Sequence, residues 1–300
     1  MKLGFLIDPH LSNTSPSGRV DDYPETILGK VSASLNLFKE HGVDRVYLTG
    51  DVFNSLSVSF AYYNRVVDLF RCAGVRVWSI VGNHTGDMRY DRVDTLPETP
   101  LGALFGSGAV GRLTDSYITE RETNKETYVF GCDYKCPVPT PVKGAVNILV
   151  AHSSYGDCWG EHGIDPKELK GFQFAVLGHD HNQYPIEMTE EGCMVVRPGS
   201  VSRGTAGFND RTRIPKVAII DLNTMQAEYH TIPHKSASEV FSTQVIQKNE
   251  SNVEIKDYVK SLSDVKVEAV ETVSSLVTQY ATDPAVMKRV VEHFQKAGIW

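Results

Sequence analysis

The chain has 300 residues, of which 41% are hydrophobic and 22% are charged, a composition that excludes a largely disordered protein. Its formal net charge of -7 argues against binding nucleic acid through bulk electrostatic attraction alone, although bound divalent cations would reverse the field locally. The five cysteines are odd in number and scattered, which disfavours a disulfide framework and favours a reducing compartment. Because no stretch approaches about 18 consecutive apolar residues, we expect a cytoplasmic protein that does not enter a membrane.

Short apolar runs alternate with helical patterns through most of the chain. Leu3–Ile7 is predicted as a strand, a helix follows that ends at Gly42, and residues Val58–Cys72 are predicted as a crossover helix. The further predicted strands are Arg45–Leu48, Val75–Val81, Tyr128–Gly131, Val146–Ala151, Phe174–Leu177, Met194–Val196, Val217–Asp221 and Ala227–Ile232. Repeated strand-helix-strand units imply an α/β core in which helices cover the sheets.

The character of the sequence changes near Ser236. Residues Asp264–Tyr280 carry an apolar helical stripe, and a second helix begins after Asp283 and stops at Gly298. We therefore divide the chain into a core of residues 1–235 and a C-terminal helical segment of residues 236–300. Two interpretations of that segment stay open: a cap or partner-binding module, or two helices that pack back on the core.

Five segments each end an apolar run with residue types that bind metals. They are Ile7-Asp8-Pro9-His10, Thr49-Gly50-Asp51, Val81-Gly82-Asn83-His84, Val150-Ala151-His152 and Leu177-Gly178-His179-Asp180-His181. In an α/β fold the carboxyl ends of the strands line one crevice, so side chains distant in sequence converge there. The repetition, rather than any single motif, predicts a metal centre at that edge.

The residue types suit two divalent cations about 3.5–4 Å apart, which need a carboxylate to bridge them and neutral imidazoles around them. Asp51 is the natural bridge. The glycines before Asp51, Asn83 and His179 let the backbone bend sharply and approach the metals closely, which a Cβ would hinder.

These motifs resemble the calcineurin-like metallophosphoesterase superfamily, whose pattern is D-x-H, G-D, G-N-H, a lone His and then G-H-x-H. Within it, the chain is most similar to SbcD-type nucleases of DNA double-strand-break repair. That finer likeness depends on Asp8-Pro9-His10-Leu11, with Arg19 and Asp22 following, and on Arg197-Pro198-Gly199-Ser200. The resemblance covers residues 1–233, and it implies a two-sheet β-sandwich flanked by helices, with a small helical appendage.

The resemblance also implies roles for the residues that match it. Asp8, His10 and His181 would hold one metal ion, Asn83, His152 and His179 the other, and Asp51 would join both. His84 would be no ligand but a catalytic group that protonates the leaving oxygen or stabilises the transition state, while a metal-bridging hydroxide attacks phosphorus. The two divalent ions are expected to be Mn²⁺, with Fe, Zn or Mg as alternatives.

One position departs from the superfamily pattern. The residue after G-N-H is commonly an acid that orients the His, and here it is Thr85. The nearest substitute is Asp87, so we hypothesise that Asp87, or a carboxylate elsewhere, orients His84.

Other polar and aromatic residues have weaker claims to a role. Arg19, Arg203, Arg211 and Arg213 follow motif elements in polar loops and are candidates to grip substrate phosphates, with ordinary solvated arginines equally compatible with the pattern. The aromatic residues Phe60, Tyr62 and Tyr63 favour a core position over base stacking, and Trp159 is the better stacking candidate. The histidines outside the motifs are expected to be structural or exposed: His41, His162, His230, His234 and His293.

Three functions are compatible with this sequence. The first is a metal-dependent DNA exonuclease or endonuclease of DNA repair that acts with an SbcC-like ATPase, with a homodimer left open. The second is a phosphodiesterase or phosphatase for small molecules or phosphoproteins, because the same metal centre serves them all and fold does not determine substrate. The third is a scaffold that only binds, which the complete set of ligands disfavours.

Overall fold

The computed structural model describes residues 1–114, 126–158 and 161–246 and the single positions 288 and 292, with side chains left out at 157, 158, 161 and 162. Residues Met1–Phe241 form one compact unit, and Ser242–Trp300 form a second. The predicted helices over Asp264–Tyr280 and after Asp283 lie outside the described residues. Within the described ranges, every helix is too short or too polar to traverse a bilayer.

The first unit is an α/β structure with two main sheets, which confirms the predicted fold class. Its strands are β1 (Lys2–Leu6), β2 (Arg45–Leu48), β3 (Arg76–Ser79), β4 (Gly111–Arg112), β5 (Thr127–Cys132), β6 (Val146–His152), β7 (Asp157–Cys158), β8 (Glu161–His162), β9 (Phe174–Gly178), β10 (Glu187–Met188), β11 (Met194–Val196), β12 (Lys216–Asp221) and β13 (Gln226–Thr231). Its helices are α1 (Tyr23–Glu40), α2 (Phe60–Arg71), α3 (Pro100–Gly106), α4 (Phe208–Thr212) and α5 (Ala237–Val240), with 3₁₀ helices at Val93–Glu98 and Pro166–Leu169.

The two main sheets are largely parallel. The six-stranded sheet has the order β13-β12-β1-β2-β3-β4, in which β1 to β4 run parallel. At one edge β12 pairs antiparallel with β1, and β13 pairs antiparallel with β12. The five-stranded sheet has the order β10-β11-β9-β6-β5, with only β10 antiparallel. The carboxyl ends of the parallel strands in each sheet therefore lie along one edge.

Successive side chains of a strand point to opposite faces of its sheet, so each strand contributes to two layers of the hydrophobic core. On β6, the side chains of Ile148 and Val150 belong to the cluster between the two sheets, whereas Leu149 and Ala151 belong to the cluster on the outer face. On β1, Phe5 points between the sheets and Leu6 points towards the helices. Both faces of each central strand are thus buried, which explains the continuous apolar runs of the sequence.

The helices that connect the parallel strands have recognisable ends. Asp22 caps α1 by accepting a hydrogen bond from the Glu25 backbone N–H at 3.2 Å, and Gly42 follows its end with φ +67°. Ser59 caps α2 by accepting from the Tyr62 N–H at 3.3 Å. These helices hold β1, β2 and β3 side by side, so that the loops after the three strands meet.

Candidate metal centre

Seven side chains of metal-ligating type converge at the carboxyl ends of five strands from both sheets. Asp8 and His10 follow β1, Asp51 follows β2 and Asn83 follows β3 in the six-stranded sheet. His152 ends β6 in the five-stranded sheet. His179 and His181 follow β9, next to β6. The cluster therefore contains every residue that the sequence predicted as a metal ligand.

The backbone is strained at this cluster. Asp8, His10, Asp51 and His179 all adopt the left-handed region, with φ values of 43°, 47°, 47° and 85°. This conformation costs a residue other than glycine roughly 1–2 kcal/mol, and such strain collects at functional sites. The strain aims these side chains into one small volume.

The glycines of the motifs allow the close approach that the sequence predicted. A Cβ on Gly82 would lie 2.2 Å from Asp51 Oδ1, and a Cβ on Gly178 would lie 2.5 Å from Asp8 Oδ1. Gly50 has φ +92°, and its Cβ would lie 2.9 Å from His152 Nδ1. Any larger residue at these positions would displace a carboxylate or an imidazole of the cluster.

One half of the cluster consists of Asp8, His10, His181 and the shared Asp51. The Nε2 atoms of His10 and His181 are 2.9 Å apart. His10 Nε2 lies 3.8 Å from Asp51 Oδ2, and His181 Nε2 lies 3.9 Å from Asp8 Oδ2. One ligand atom from each of His10, Asp51 and His181 falls within 4.8 Å of the others, a spacing that one cation could span.

The other half consists of Asn83, His152, His179 and again Asp51. His152 Nδ1 is 2.7 Å from the Thr49 carbonyl oxygen, to which it can only donate. In the neutral ring Nε2 carries a lone pair and can only accept. It nevertheless faces two other acceptors, Asn83 Oδ1 at 2.9 Å and Asp51 Oδ2 at 3.4 Å. A proton on Nε2 or a divalent cation must therefore lie between these atoms, and a set of carboxylate, amide-oxygen and imidazole donors fits a metal ion.

The charges of the cluster support the same conclusion. Burial disfavours a charged ring at His152, but the attraction of Asp51 and Asp8 outweighs it and raises the pKa of His152 to about 10. A proton on His152 thus neutralises part of the charge of two buried carboxylates, which a bound cation would neutralise more fully. Burial also lowers the pKa of His10 well below its ordinary value, and neutral imidazole is the form that binds metals.

His84 lies beside the cluster on its open side. Its backbone N–H donates to Asp51 Oδ1 at 2.9 Å, and its ring Nδ1 lies 3.1 Å from the Asn54 carbonyl oxygen. Nδ1 must therefore carry a proton. The other ring nitrogen, Nε2, lies 3.8 Å from Asp51 Oδ2 and is the one that can accept or release a proton. The side chain is 36% exposed, so a substrate can reach it.

Asp87 does not orient His84 through its side chain, so that hypothesis needs correction. The Asp87 carboxylate is fully buried and accepts backbone N–H groups from Val52 at 3.0 Å, Phe53 at 3.2 Å and Gly82 at 3.0 Å. It ties the loop that carries Asp51 to the loop that carries Asn83. Burial, together with the neighbouring Asp51 charge, raises the pKa of Asp87 to about 8.

Three of the four arginines named as candidates to grip phosphates are buried against protein acceptors, which does not support that role. The fourth, Arg211, is partly exposed. Arg19 is 9% exposed, and its guanidinium donates to the Asp21 carboxylate and to the Arg203 carbonyl. Arg203 is 2% exposed and donates to the Lys235 carbonyl. Arg213 is also buried and donates to the His181 carbonyl at 3.1 Å. The physical reason is that acceptors from distant segments surround each guanidinium.

Sequence reasoning missed residues that support the ligands. Thr49 Oγ1 donates to Asp8 Oδ1 at 2.9 Å, and the Ser200 hydroxyl donates to the Asp8 carbonyl at 2.8 Å. The ring of Tyr134 lies 5.2 Å from the His179 ring, centroid to centroid. Thr49 sits next to a motif and Ser200 ends the run Arg197-Pro198-Gly199-Ser200, so both carried an available signal, whereas no local pattern marks Tyr134.

The remaining predicted candidates lie elsewhere. His41 and His230 contact each other edge to face, with ring centroids 4.4 Å apart. Tyr62 is buried, as expected for a core position, while Phe60 is 89% exposed. Trp159 and His293, together with the side chain of His162, lie outside the described residues.

No family model and no curated protein matches this chain. Solved structures do: an archaeal phosphodiesterase at 15% identity, covering 77% of this chain and 100% of that one, has a TM-score of 0.41. A protein of Thermus thermophilus at 13% identity covers 77% and 99%, with a TM-score of 0.49. Yfce, a phosphoesterase from E. coli, at 16% identity covers 78% and 100%, with a TM-score of 0.37. All three scores lie below 0.5, so the geometry of the site carries the functional argument.

Proposed function

We propose that this protein is a phosphoester hydrolase that uses two divalent metal ions, as the resemblance of its motifs to the calcineurin-like metallophosphoesterases implies. The observation that carries the proposal is the convergence of carboxylate, amide-oxygen and imidazole ligand atoms in a buried cluster, where His152 Nε2 lies 2.9 Å from Asn83 Oδ1 and 3.4 Å from Asp51 Oδ2, and one atom each of His10, Asp51 and His181 fall within 4.8 Å of one another. Protein interiors do not leave acceptors facing one another unless a proton or a cation lies between them. Two such half-sites that share one carboxylate suit a dinuclear centre.

When bound, two divalent ions would activate water and neutralise charge on a phosphoryl group. The chain itself supplies the geometry. Asp51 stands between the two halves, because its Oδ2 lies 3.8 Å from His10 Nε2 and 3.4 Å from His152 Nε2. The Thr49 hydroxyl and the His179 backbone N–H, at 2.9 and 2.7 Å from the Asp8 oxygens, keep that carboxylate in one orientation. A preorganised site of this kind stabilises developing charge without having to rearrange.

His84 is the group on the chain best placed to move a proton. Its Nδ1 is committed to the Asn54 carbonyl at 3.1 Å, so only Nε2 can exchange a proton with the substrate. Since the ring lies at the open side of the cluster, Nε2 can reach the leaving oxygen of a phosphoester held there. In the protonated state it donates to that oxygen, and such general acid catalysis contributes about 10²–10⁴-fold in rate.

The disposition of cationic side chains favours a small phosphodiester over DNA as the substrate. DNA binding relies on Lys and Arg side chains that contact successive phosphates. Arg19, Arg203 and Arg213 are instead buried against protein acceptors. Together with the net charge of -7, this supports the second of the sequence-based interpretations. The DNA substrate, the SbcC-like ATPase partner and the homodimer stay predictions.

The test uses the purified chain, stripped with a chelator and reloaded with Mn²⁺, acting on bis(p-nitrophenyl) phosphate and on duplex and single-stranded DNA. Asp51→Asn should lose bound metal and activity, whereas His84→Gln should keep its metal and lose kcat. His41→Gln is the matched control, because His41 is exposed and lies beside Lys2 at the start of β1. Full metal loading with no hydrolysis of any phosphoester would overturn the proposal, as would an active Asp51→Asn. Cleavage of DNA without cleavage of the small diester would restore the nuclease interpretation.

A further inference from the structure

An open cleft of about 630 Å³ includes His179, a residue of the metal cluster, among its lining residues. The loop that follows β5, from Asp133 to Val138, also lines it. Further lining residues are Ser153, Ser154 and Glu168. We call this space the Tyr134 cleft. Because His179 belongs both to the cleft and to the metal cluster, a group attached to a phosphate on the cluster can extend into it.

A larger cavity of about 840 Å³ lies elsewhere and does not compete for this role. Thr127, Val146 and Gln173 line it, and these residues stand at the amino ends of β5, β6 and β9. The metal-ligating residues stand at the carboxyl ends of strands. None of the metal-ligating residues lines that cavity, so a substitution in it is a control for a substitution in the Tyr134 cleft.

The wall of the Tyr134 cleft is firmly built. The Tyr134 backbone N–H donates to the Val81 carbonyl at 3.1 Å, and its ring lies against the rings of His179 and His152 with centroids 5.2 and 6.0 Å away. Lys135 follows with φ +58°, a left-handed conformation that costs a lysine roughly 1–2 kcal/mol. This turn holds the Lys135 ammonium 5.0 Å from the centre of the Tyr134 ring and 2.7 Å from Asp91 Oδ2.

Two serine residues line the cleft. The Ser154 side chain is 3% exposed, and its Oγ makes no hydrogen bond to any of the described residues. Ser153 Oγ donates to the Ser154 carbonyl at 3.1 Å, which leaves its oxygen able to accept. A buried hydroxyl without a partner costs about 1–3 kcal/mol. Because Ser154 also lines the cleft, rotation of its side chain would bring Oγ to a ligand hydroxyl or amide and relieve that cost.

The charge of the cleft limits how far a ligand can extend. Glu168 lines it, and its carboxylate accepts the Asp165 backbone N–H at 2.9 Å. A second phosphate, which every polynucleotide would bring, meets this like charge, while the Lys135 ammonium is already paired with Asp91 at 2.7 Å. A neutral polar group meets Lys135 and the two serine side chains without that repulsion. The volume is in the range of about 300–1,000 Å³ that suits one small organic ligand.

We propose that the Tyr134 cleft binds the organic group of a small phosphodiester, a neutral hydroxyl-bearing group of about nucleoside size, while its phosphate lies on the metal cluster. This inference rests on the proposed function and names its substrate class. It assigns Lys135, Ser153 and Ser154 to substrate recognition rather than to chemistry. Substitutions in the cleft should therefore change KM for substrates that fill it and leave small substrates unaffected.

The experiment compares thymidine 5′-(p-nitrophenyl phosphate), which fills the cleft, with methyl p-nitrophenyl phosphate, which does not. Cys136→Trp narrows the cleft from an exposed position on its wall. Lys143→Trp is the matched control, because Lys143 is an exposed residue that lines the larger cavity. A second readout without turnover is the binding of thymidine 5′-monophosphate, measured by calorimetry for each protein with and without Mn²⁺. Circular dichroism confirms that each variant is folded. If Cys136→Trp does not fold, Ser154→Ala, a smaller change in the same cleft, takes its place.

We expect Cys136→Trp to raise KM for the nucleoside diester at least tenfold and to weaken nucleotide binding by a similar factor. Its kcat/KM for the methyl diester should stay within twofold of wild type, and Lys143→Trp should change neither. Equal losses on both substrates, or no loss on the nucleoside diester, would overturn the inference while leaving the proposed function intact. So would a single-stranded oligonucleotide that the wild type prefers tenfold over the nucleoside diester. If wild type hydrolyses neither diester but Cys136→Trp still weakens nucleotide binding, the proposed function fails and the cleft assignment stands.

Discussion

Replacing Asp87 by Asn would test how this protein holds its metal loops at the right separation. The two carboxylate oxygens accept three backbone N–H groups, two from the loop after Asp51 and one from Gly82. Asn has nearly the same shape but only one acceptor oxygen. If that oxygen serves Val52 and Phe53, the NH₂ group points at the Gly82 N–H, and donor meets donor.

The magnitude follows from the lost hydrogen bond. A hydrogen bond to a charged acceptor contributes about 1.5–3 kcal/mol, and an unpaired buried N–H costs about 1–3 kcal/mol, so we expect Asp87→Asn to lower the free energy of unfolding by about 2–4 kcal/mol. If Asp87 is protonated, its hydroxyl oxygen still accepts whereas an NH₂ group does not, and the loss is then about 1–3 kcal/mol, that of an unpaired buried N–H. Gly82 packs so tightly on Asp51, with a hypothetical Cβ at 2.2 Å from Oδ1, that its displacement moves the Asp51 carboxylate.

Metal affinity is therefore the decisive measurement. Groups that orient metal ligands typically contribute about 10–100-fold in affinity, and we expect Mn²⁺ binding to Asp87→Asn, measured by calorimetry, to weaken by that factor. Chemical unfolding of the metal-free protein gives the stability separately. Asp94→Asn is the matched control, because Asp94 is exposed and pairs with the equally exposed Arg92. It should change stability by no more than about 0.5 kcal/mol.

Two outcomes would contradict this account of Asp87. If Asp87→Asn lowers stability but binds Mn²⁺ within twofold of wild type, the carboxylate supports the fold without setting the metal site. If instead the pH dependence of the rate shifts while metal affinity is unchanged, Asp87 acts through His84 after all, in spite of the Asn54 carbonyl that occupies its Nδ1 at 3.1 Å.

Two further predictions concern stability. Gly82→Ala should abolish metal binding, because its Cβ would lie 2.2 Å from Asp51 Oδ1. Gly29→Ala on α1 has no atom within 4 Å of its Cβ and should stabilise the protein by about 0.5–1 kcal/mol. If the two variants behave alike in thermal unfolding and in metal titration, this prediction is wrong. Burial, with repulsion from Arg203 and Arg19, lowers the pKa of Lys30 to about 7 from 10.5. Between about pH 7 and pH 10.5 Lys30 is protonated in the unfolded chain but not in the folded one. The free energy of unfolding of the wild type should therefore rise with pH across that range, relative to that of Lys30→Met. Parallel pH profiles of unfolding for the two proteins would exclude this role for Lys30.

Strand positions and the ligand motifs were readable from local patterns. The runs Arg45–Leu48 and Met194–Val196 are strands with those same bounds, and the other predicted strands shift by a residue or two. Buried parallel strands are continuous apolar runs, and each metal motif begins where such a run stops. Very short elements escaped prediction, such as β4 (Gly111–Arg112) and α3 (Pro100–Gly106), because so few residues show no periodicity.

The residue types that end the central strands are encoded in the local sequence, and they predict seven candidate metal ligands and His84 before any fold is known. The partners that support those ligands depend on tertiary packing. Arg19 meets the Arg203 carbonyl 184 positions away, and Asp87 meets Val52 from 35 positions away. An arginine in a polar loop is ordinarily exposed, so its burial depended on which loops met. Apolar periodicity is encoded locally, whereas the acceptor that a buried donor finds depends on how the whole chain packs.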